Sequence, residues 1–221
     1  MKQLNIVYQD ASLVAVEKPA RMLAVPNAGD DREESVQNIL RAQIENPRLY
    51  PLHRLDYATS GIMVFGKDAG VRAELEAIFR TPTTRKKYIT LVRGIPKYAS
   101  GTITKKLRAR NRNVYVAAKT TYRVVQKFQI PPCALVEAEI STGRKHQIRQ
   151  HMASIFHPII LDNEYGDEKF NRQFRKILRL GRHFLHAASL EFIHPITQEH
   201  IVIEAPLPPD LQSIVKKLKS V

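Results

Sequence analysis

Three segments of the sequence combine short apolar runs with polar side chains of the types that catalyse reactions. They are residues 53–61, 85–88 and 142–151. Each holds a candidate reactive group: the carboxylate of Asp56, the phenol of Tyr88 and basic side chains of the third segment. Long stretches of chain separate the three segments. Only a fold could therefore bring them together.

Asp56 is the candidate catalytic carboxylate, because it lies between basic and hydroxyl residues. Thr59, Ser60 and Gly61 can form a tight turn. Its hydroxyls or backbone amides could then bind a carboxylate or a phosphate. The same pattern also fits an Asx-turn that simply precedes a strand over residues 62–65. Such a turn is the more common use of these residues. Spacing alone leaves both interpretations open.

The third segment has helical periodicity, which predicts a helix over residues 146–155. At 100° per residue, Arg149 lies about 60° from Met152, on the shoulder of the apolar stripe. A half-buried arginine needs an acidic partner or a ligand. His146 and His151 are five positions apart, a spacing unsuited to two zinc ligands on one helix. Their ordinary interpretation is as core or surface histidines.

The rest of the chain alternates strands with helices. Strands are predicted over residues 4–8, 13–16, 62–65, 87–92, 121–128, 133–140, 184–193 and 200–204, and helices after Ser35, after Asp68 and over residues 146–155, 170–180 and 210–219. Strands joined by short turns outnumber βαβ units. This predicts an α+β fold with a mostly antiparallel sheet flanked by helices and loops, in a single domain spanning residues 1–221.

The composition restricts the function classes. The formal net charge is +14, and such an excess attracts polyanions, nucleic acid above all. An anionic membrane surface is less favoured, because no basic amphipathic anchor lies at a terminus. The single cysteine, Cys133, excludes an internal disulfide and a cysteine-cluster metal site. No apolar run reaches membrane-spanning length, and the start lacks a signal-peptide core, so a cytoplasmic location is expected.

Two basic runs are candidates for contacts with phosphates. Each could also be only a solvated charged face, but together, with few compensating acids, they favour nucleic-acid backbone contact. They are Lys105, Lys106, Arg108, Arg110 and Arg112 in a predicted hairpin region, and Arg172, Arg175, Lys176, Arg179 and Arg182 on the outer face of the helix over 170–180. That helix is predicted to turn Phe174, Ile177 and Leu178 inward and to end near Gly181.

At these segments the sequence resembles the RluA family of pseudouridine synthases. The matching motifs are His53-Arg54-Leu55-Asp56 with Thr59-Ser60-Gly61, Lys87-Tyr88 with Val92-Arg93-Gly94, Thr142-Gly143-Arg144 with His146-Gln147-Ile148-Arg149 and His151, His157-Pro158 with Asp162 and Tyr165-Gly166, and Leu185-His186-Ala187 with His194-Pro195. They follow the family's order along nearly the whole chain. The sequence departs from the family at Arg21 and Leu161, where glycine is frequent.

The resemblance implies the pseudouridine synthase fold with a central catalytic cleft, and conversion of uridine to pseudouridine within ribosomal RNA, transfer RNA or both. Asp56 would be a nucleophile at C1′ of the sugar or the base that removes a sugar proton. Arg149 would be its cationic partner. Tyr88 would either only pack on the uracil or also help to remove the C5 proton, and packing is favoured because a phenol is a poor base at neutral pH. Arg54 would enter the space left by the flipped base.

The resemblance also implies further substrate contacts from Thr59, Lys87, Arg144 and His146. It implies no cofactor and no metal, since the isomerisation is redox-neutral, and a short monomeric form without the S4-type RNA-binding domain of some relatives.

Two other function classes were weighed against the isomerase. A catalytically inactive RNA-binding or chaperone relative would not need the candidate catalytic set. A glycosidase or nuclease using Asp56 would normally need a second carboxylate nearby, and these motifs offer none.

Overall fold

The computed structural model describes residues 2–28, 30, 32–109 and 114–219. The chain divides into two compact units. Unit 1 comprises Met1–Arg85 and Ala187–Pro206, and unit 2 comprises Lys86–His186 and Leu207–Val221. Each unit has its own apolar core. The candidate residue Asp56 therefore belongs to unit 1, whereas Tyr88 and Arg149 belong to unit 2.

The described residues form the following elements. The strands are β1 (Ile6–Gln9), β2 (Leu13–Lys18), β3 (Tyr50–Pro51), β4 (Ser60–Gly66), β5 (Arg85–Arg93), β6 (Ser100–Ile103), β7 (Leu107–Arg108), β8 (Tyr115–Val116), β9 (Thr120–Phe128), β10 (Cys133–Ile140), β11 (Leu185–Ile193) and β12 (His200–Glu204). The helices are α1 (Val36–Gln43), α2 (Arg72–Ile78), α3 (Gln147–Ser154), α4 (Glu168–Leu178) and α5 (Pro209–Lys219), with a 3₁₀ turn at Ala69–Val71.

Unit 1 is built on an antiparallel sheet. Strand β2 pairs with β1 and β4, β3 also pairs with β4, and β11 pairs with β12. All seven residues of β4 are buried, so this strand lies at the centre of the unit. Leu75 of α2 and Phe79 pack against this core. The loop that carries Asp56 leads directly into β4, which gives it a rigid support.

Unit 2 contains the antiparallel strand order β5-β10-β9-β6. Strands β7 and β8 form a separate hairpin. The core packs Leu91 of β5 and Cys133 of β10 with Phe174 of α4 and Leu211 of α5. Helix α3 follows β10 after a short loop. Strand β5 therefore positions Tyr88, and α3 positions Arg149.

The expected α+β class with a mostly antiparallel sheet is confirmed. Strand β10 has the predicted bounds, and Ser35 caps α1 by accepting a hydrogen bond from the amide of Asn38. The predicted hairpin around the first basic run is present as β7 and β8. Among the described residues, no helix is both long enough and apolar enough to cross a membrane.

Three expectations for the region around α4 were wrong. Phe174 and Leu178 are buried as predicted, but Ile177 is 51% exposed, because the apolar face of α4 is narrower than the sequence pattern suggested. The helix ends before Gly181, at Arg179, which adopts a left-handed φ of 53°. Arg182 does not lie on an outer face. It is buried, and its guanidinium binds the carboxylate of Asp210 at 2.8 Å.

Gly61, the second residue of β4, permits a close approach that no other residue would allow. Its φ is +116°, and an added Cβ would lie 2.2 Å from the carbonyl oxygen of Ala187. We therefore expect Gly61→Ala to lower the free energy of unfolding by about 3 kcal/mol, through backbone strain and displacement of the neighbouring strand.

Gly143→Ala is the matched control for this substitution. An added Cβ at Gly143 meets nothing within 4 Å. It should change stability by no more than about 0.5 kcal/mol. Urea unfolding of the two variants and the wild type measures the difference, and equal effects of the two substitutions would contradict the proposed steric origin.

Candidate functional site

Asp56 lies in the loop between β3 and β4 and is half-buried. Its main-chain carbonyl accepts a hydrogen bond from the amide of Thr59 at 3.0 Å, which closes a tight turn. This turn spans residues 56–59 and closes through the backbone, whereas Ser60 and Gly61, which were expected to form it with Thr59, already belong to β4 because they pair within the sheet. Because β4 begins one residue after Thr59, the turn holds the candidate carboxylate at the end of a buried strand.

Lys18, the last residue of β2, stabilises this turn through hydrogen bonds to its backbone. It is 1% exposed, and its ammonium donates hydrogen bonds to the carbonyls of Pro19, Tyr57 and Thr59 at 2.8, 3.2 and 2.9 Å. A buried ammonium is costly unless its donors are used, and hydrogen bonds from a charged donor are stronger than neutral ones. Lys18 therefore fixes the backbone of Tyr57 and Thr59, which follow Asp56 in the turn.

The backbone amide of Arg21 also stabilises this turn. Its amide donates a hydrogen bond to the carbonyl of Tyr57 at 2.7 Å, and its φ is 60°. Glycine, frequent here in the family that the sequence resembles, would adopt this left-handed backbone without strain. Arg21 thus keeps the loop shape that a glycine would give.

The other residues of this loop have contrasting exposures. Arg54 is exposed and able to reach a ligand, whereas Thr59 is only 2% exposed. The ring of His53 stacks on Phe79 at 5.2 Å, and its Nε2 accepts a hydrogen bond from the amide of Val64 at 3.2 Å. His53 therefore supports the loop structurally.

In unit 2, β5 presents the second candidate group. Tyr88 is 9% exposed, and the alternation of a strand places it on the same face as the buried Lys86, with Lys87 on the opposite face. Burial lowers the pKa of Lys86 to about 8. The two predicted residues Lys87 and Tyr88 are thus adjacent in sequence but face different sides of the sheet.

Arg149 has the acidic partner that its position on α3 requires. Its Nε and Nη2 donate hydrogen bonds to the two carboxylate oxygens of Asp162 at 2.6 and 2.9 Å, and Nη2 also reaches Oε2 of Glu164 at 3.2 Å. The Arg149 side chain is 8% exposed and that of Asp162 is fully buried. Such a bidentate pair fixes the plane of the guanidinium.

Asp162 binds more than Arg149. Its Oδ1 also accepts hydrogen bonds from the amides of Glu164 and Tyr165 at 2.9 and 3.1 Å. Burial alone would raise the pKa of the Asp162 carboxyl, but these amides and the Arg149 guanidinium together hold that pKa below its ordinary value. The carboxylate is therefore ionised at neutral pH, and it keeps Arg149 in one orientation.

Several polar side chains surround the Arg149–Asp162 pair near the start of α3. His146, with a left-handed φ of 52°, places Nδ1 3.1 Å from the hydroxyl of Tyr165 and 3.2 Å from Oε2 of Glu164. The ring of Tyr165 lies 5.0 Å from the guanidinium carbon of Arg149. His146 and Arg149, both predicted site residues, are thus joined through Glu164 and Tyr165.

Gln147 and His151 fix α3 to the rest of unit 2. The buried amide of Gln147 accepts hydrogen bonds from the hydroxyl of Thr142 and the amide of Arg144, while the Arg144 side chain is exposed. His151 is fully buried and its Nε2 lies 2.9 Å from the carbonyl of Lys105. The core interpretation of His151 is therefore confirmed. Burial lowers its pKa.

All described members of the two predicted basic runs except the buried Arg182 are on the surface. Arg110 and Arg112 lie outside the described residues. Arg172 and Arg175 have polar neighbours, Glu168 and Asn163. The exposed members are Lys105, Lys106, Arg108, Arg172, Arg175, Lys176 and Arg179.

Sequence reasoning missed the functions of Lys18 and Asp162. Lys18 had one available signal, a charged residue that ends an otherwise apolar strand before Pro19. Asp162 lies beyond the end of α3, so helical periodicity cannot predict that its carboxylate pairs with Arg149. That pairing depends on the tertiary fold. Within the part of the chain that the structure describes, no three His, Cys, Asp or Glu side chains are grouped so as to hold a metal ion.

Comparison with known proteins agrees with this geometry. The sequence profile of the family described as RNA pseudouridylate synthase matches residues 12–154, which include Asp56, Tyr88 and Arg149. The chain belongs to this family. It is an isomerase family that converts uridine to pseudouridine in RNA, so the activity expected from the resemblance is confirmed.

Individual relatives cover almost the whole chain. A protein named tRNA pseudouridine synthase C from Vibrio cholerae is 38% identical over 92% of this chain and 91% of its own length. Ribosomal large subunit pseudouridine synthase C of Vibrio vulnificus is 34% identical over 97% of this chain and 69% of its own length. The solved structure of human RNA Pseudouridylate Synthase Domain Containing 4 has a TM-score of 0.78 at 24% identity, covering 97% and 93% of the two chains, and shows the shared fold.

The Arg149–Asp162 pair generates a stability prediction. Asp162→Asn removes the buried counter-charge of Arg149 and leaves only the half-exposed carboxylate of Glu164 beside the guanidinium, so we expect a loss of about 3 kcal/mol in the free energy of unfolding at pH 7. Because the pKa of folded Asp162 is lowered, its stabilisation is present above the ordinary carboxyl value of 3.8 and is lost as the pH falls through the folded pKa. The difference between wild type and variant should therefore shrink in acid.

Asp167→Asn is the control, since Asp167 is an exposed capping carboxylate in the same unit and asparagine caps helices equally well. It should cost less than about 1 kcal/mol. Urea unfolding of both variants across pH 3–7 tests the pair. An Asp162→Asn variant as stable as Asp167→Asn would contradict it.

Proposed function

We propose that this pseudouridine synthase modifies uridines of transfer RNA and that Asp56 is its catalytic carboxylate. The observation that carries the substrate class is the 38% identity, over nearly the full length of both chains, to a protein named tRNA pseudouridine synthase C. Ribosomal RNA is the second candidate substrate, favoured by the 34% identity to a ribosomal large subunit enzyme.

The reaction requires a charge-stabilising group at the sugar. The bond between N1 of uracil and C1′ breaks, the uracil turns, and a bond from C5 to C1′ forms. C5 then loses a proton and N1 ends protonated, so no redox change occurs. Positive charge develops at C1′, and an ionised carboxylate stabilises such a centre. Asp56 is suited to this because its backbone is fixed by Thr59 and by the Lys18 anchor.

The other roles follow from the chemistry of each side chain. Tyr88 packs on the uracil, consistent with its placement on a buried face of β5. Arg149 supplies a fixed positive charge, supported by its buried pair with Asp162, and its service to Asp56 stays a prediction. Arg54, which is exposed, enters the space that the flipped base leaves. Thr59, Lys87, Arg144 and His146 stay predicted substrate contacts.

We further propose that the chain acts as a cytoplasmic monomer in which the two units form one catalytic domain, residues 1–221. The support for one domain is that the family match extends from unit 1 into unit 2.

The catalytic assignment is tested by Asp56→Asn. The amide keeps the shape of the side chain but removes the negative charge and the nucleophile, so turnover should fall below about one thousandth of wild type. RNA affinity should change no more than a few-fold. Incubation with unmodified tRNA transcripts, followed by nucleoside analysis for pseudouridine, measures the effect.

Asp68→Asn provides the comparison, because Asp68 is an exposed carboxylate of the same unit that caps a turn. It should retain wild-type turnover. Measurable turnover by pure Asp56→Asn would exclude Asp56 as the catalytic group. Modification of ribosomal RNA but not of tRNA by the wild type would overturn the substrate class while leaving the Asp56 assignment intact.

The hairpin lysines and arginine generate a second prediction. If Lys105, Lys106 and Arg108 contact phosphates, replacing all three by glutamine should weaken RNA binding at moderate salt. It should also reduce the slope of log affinity against log salt by up to about 0.9 per lost contact on duplex RNA and about 0.7 on single strands. The single-turnover rate of bound RNA should change little.

Lys216, Lys217 and Lys219 of α5 provide a control with the same change in charge. Their replacement by glutamine should alter the salt slope less than the hairpin variant does. Equal slopes for the two triple variants would mean that only net charge matters and that the hairpin has no specific contact. The candidates for phosphate contacts would then be Arg172, Arg175 and Arg179.

A further inference from the structure

Phe156, just after α3, combines two features that seldom occur together. Its side chain is 89% exposed, the largest exposure among the large apolar side chains of the described residues. Its backbone has a left-handed φ of 64°. A bulky residue at positive φ is an outlier, because Cβ approaches the following carbonyl. The ring therefore gains nothing from burial at a position where the backbone is also unfavourable.

The local hydrogen bonds explain why the backbone takes this conformation. The amide of His157 donates to the carbonyl of Met152, and the amide of Phe156 donates to the carbonyl of Ala153, both at 3.0 Å. This is a Schellman motif, which places Phe156 at the residue after the helix cap. Glycine is the usual residue there because it adopts the left-handed region freely. The helix end requires the conformation, but it does not require an aromatic ring.

A lone exposed apolar residue is ordinary on a protein surface. Phe156 differs because glycine would satisfy the helix end better and leave no apolar surface in water. Strained backbone conformations of this kind concentrate at binding and catalytic sites. The ring is thus better explained by a partner that covers it than by the fold.

The surroundings in unit 2 indicate the chemistry of that partner. His151, which lies within α3 five residues before Phe156, has its Nε2 2.9 Å from the carbonyl oxygen of Lys105. The exposed side chains of Lys105 and Lys106 therefore start from backbone fixed against the same helix. Aromatic rings beside cations are the arrangement that binds single-stranded RNA, with bases stacked on the rings and phosphates held by the charges.

We propose that Phe156 stacks against an unpaired base of the RNA substrate other than the target uridine. The inference rests on the RNA-modifying function proposed above. Phe156 lies two residues beyond the end of α3, the helix that also carries Arg149. The ring contributes affinity that is independent of phosphate charge, and it orients a loop or bulge of the RNA.

The test is Phe156→Gly, which removes the ring and relieves the backbone. The probes are a fluorescent dodecauridylate and a fully paired 12-base-pair RNA duplex. Affinity for the single strand should fall about 5- to 100-fold, the range expected for loss of one stacked base. Affinity for the duplex should be unchanged, and so should the slope of log affinity against log salt. The melting temperature should rise by about 2–4 °C, since the left-handed strain is removed.

Two further variants separate the ring from the backbone. Phe156→Trp should bind the single strand at least as well as wild type, because stacking is retained. Gln198→Gly relieves a comparable positive φ of 60° at an exposed and uncharged position in unit 1, and it should leave RNA affinity unchanged. A residue with a purely structural role would show the opposite pattern, with lower stability and unaltered discrimination between single strand and duplex.

Wild-type affinity of Phe156→Gly for dodecauridylate overturns the proposal, and so does an equal loss for single strand and duplex. Pseudouridine formation by the wild type on unmodified tRNA is measured in parallel. If the wild type modifies tRNA but Phe156→Gly binds normally, only the stacking proposal fails. If the wild type binds RNA without modifying it, the proposed function fails while the affinities still decide the role of Phe156. If the wild type binds neither probe, the stacking proposal fails as well.

Discussion

The buried ion pair between Arg149 and Asp162 is the interaction on which the organisation of unit 2 depends. Removing two charges from water is costly, and their attraction compensates only when the remaining hydrogen-bonding capacity is also used. Asp162 meets this requirement, because its carboxylate accepts hydrogen bonds from Arg149 and from two backbone amides. Its carbonyl also accepts hydrogen bonds from the amide of Gly166 and the side-chain amide of Asn171. One residue thus ties α3 to the following turn and to α4.

In unit 1, a buried cation is stabilised by neutral hydrogen-bond acceptors instead of by an anion. Lys18 uses three main-chain carbonyls, two of them in the turn that carries Asp56. In unit 1 the backbone around the candidate residue Asp56 is fixed, and in unit 2 the candidate residue Arg149 is fixed by its charged partner. This arrangement suits catalysis, since a preorganised charge need not reorient during the reaction.

Periodicity and capping rules predicted much of the fold from the sequence, because those rules are local. Strand β10 and the Ser35 cap are examples. The errors arose where tertiary packing decides. Ile177 follows Phe174 at helical spacing yet faces solvent, because the core covers only part of α4. The end of α4 was misplaced because Arg179, rather than the glycine two residues later, takes the left-handed conformation.

Sequence motifs could predict the candidate reactive residues of the site. They could not predict the residues that hold those side chains in place. Residue types and family resemblance named Asp56, Tyr88 and Arg149 as candidates, and the family itself is confirmed. The partner of Arg149 was not found, because Asp162 is brought to it by the loop after α3 and not by the helix. Lys18 was overlooked because a single lysine at a strand end has an ordinary interpretation as a solvated charge.

Backbone strain marks the same places by an independent route. Among the described residues, left-handed φ values occur at seven non-glycine positions, and three of them border α3 or immediately precede Asp162: His146, Phe156 and Leu161. A fourth, Arg21, donates a hydrogen bond to the Asp56 turn. Each such position raises the free energy of the folded state, so it persists only where the surrounding hydrogen bonds determine the backbone. Within unit 2 three strained positions therefore adjoin the segments that carry Arg149 and Asp162, and within unit 1 the strained Arg21 fixes the turn that carries Asp56.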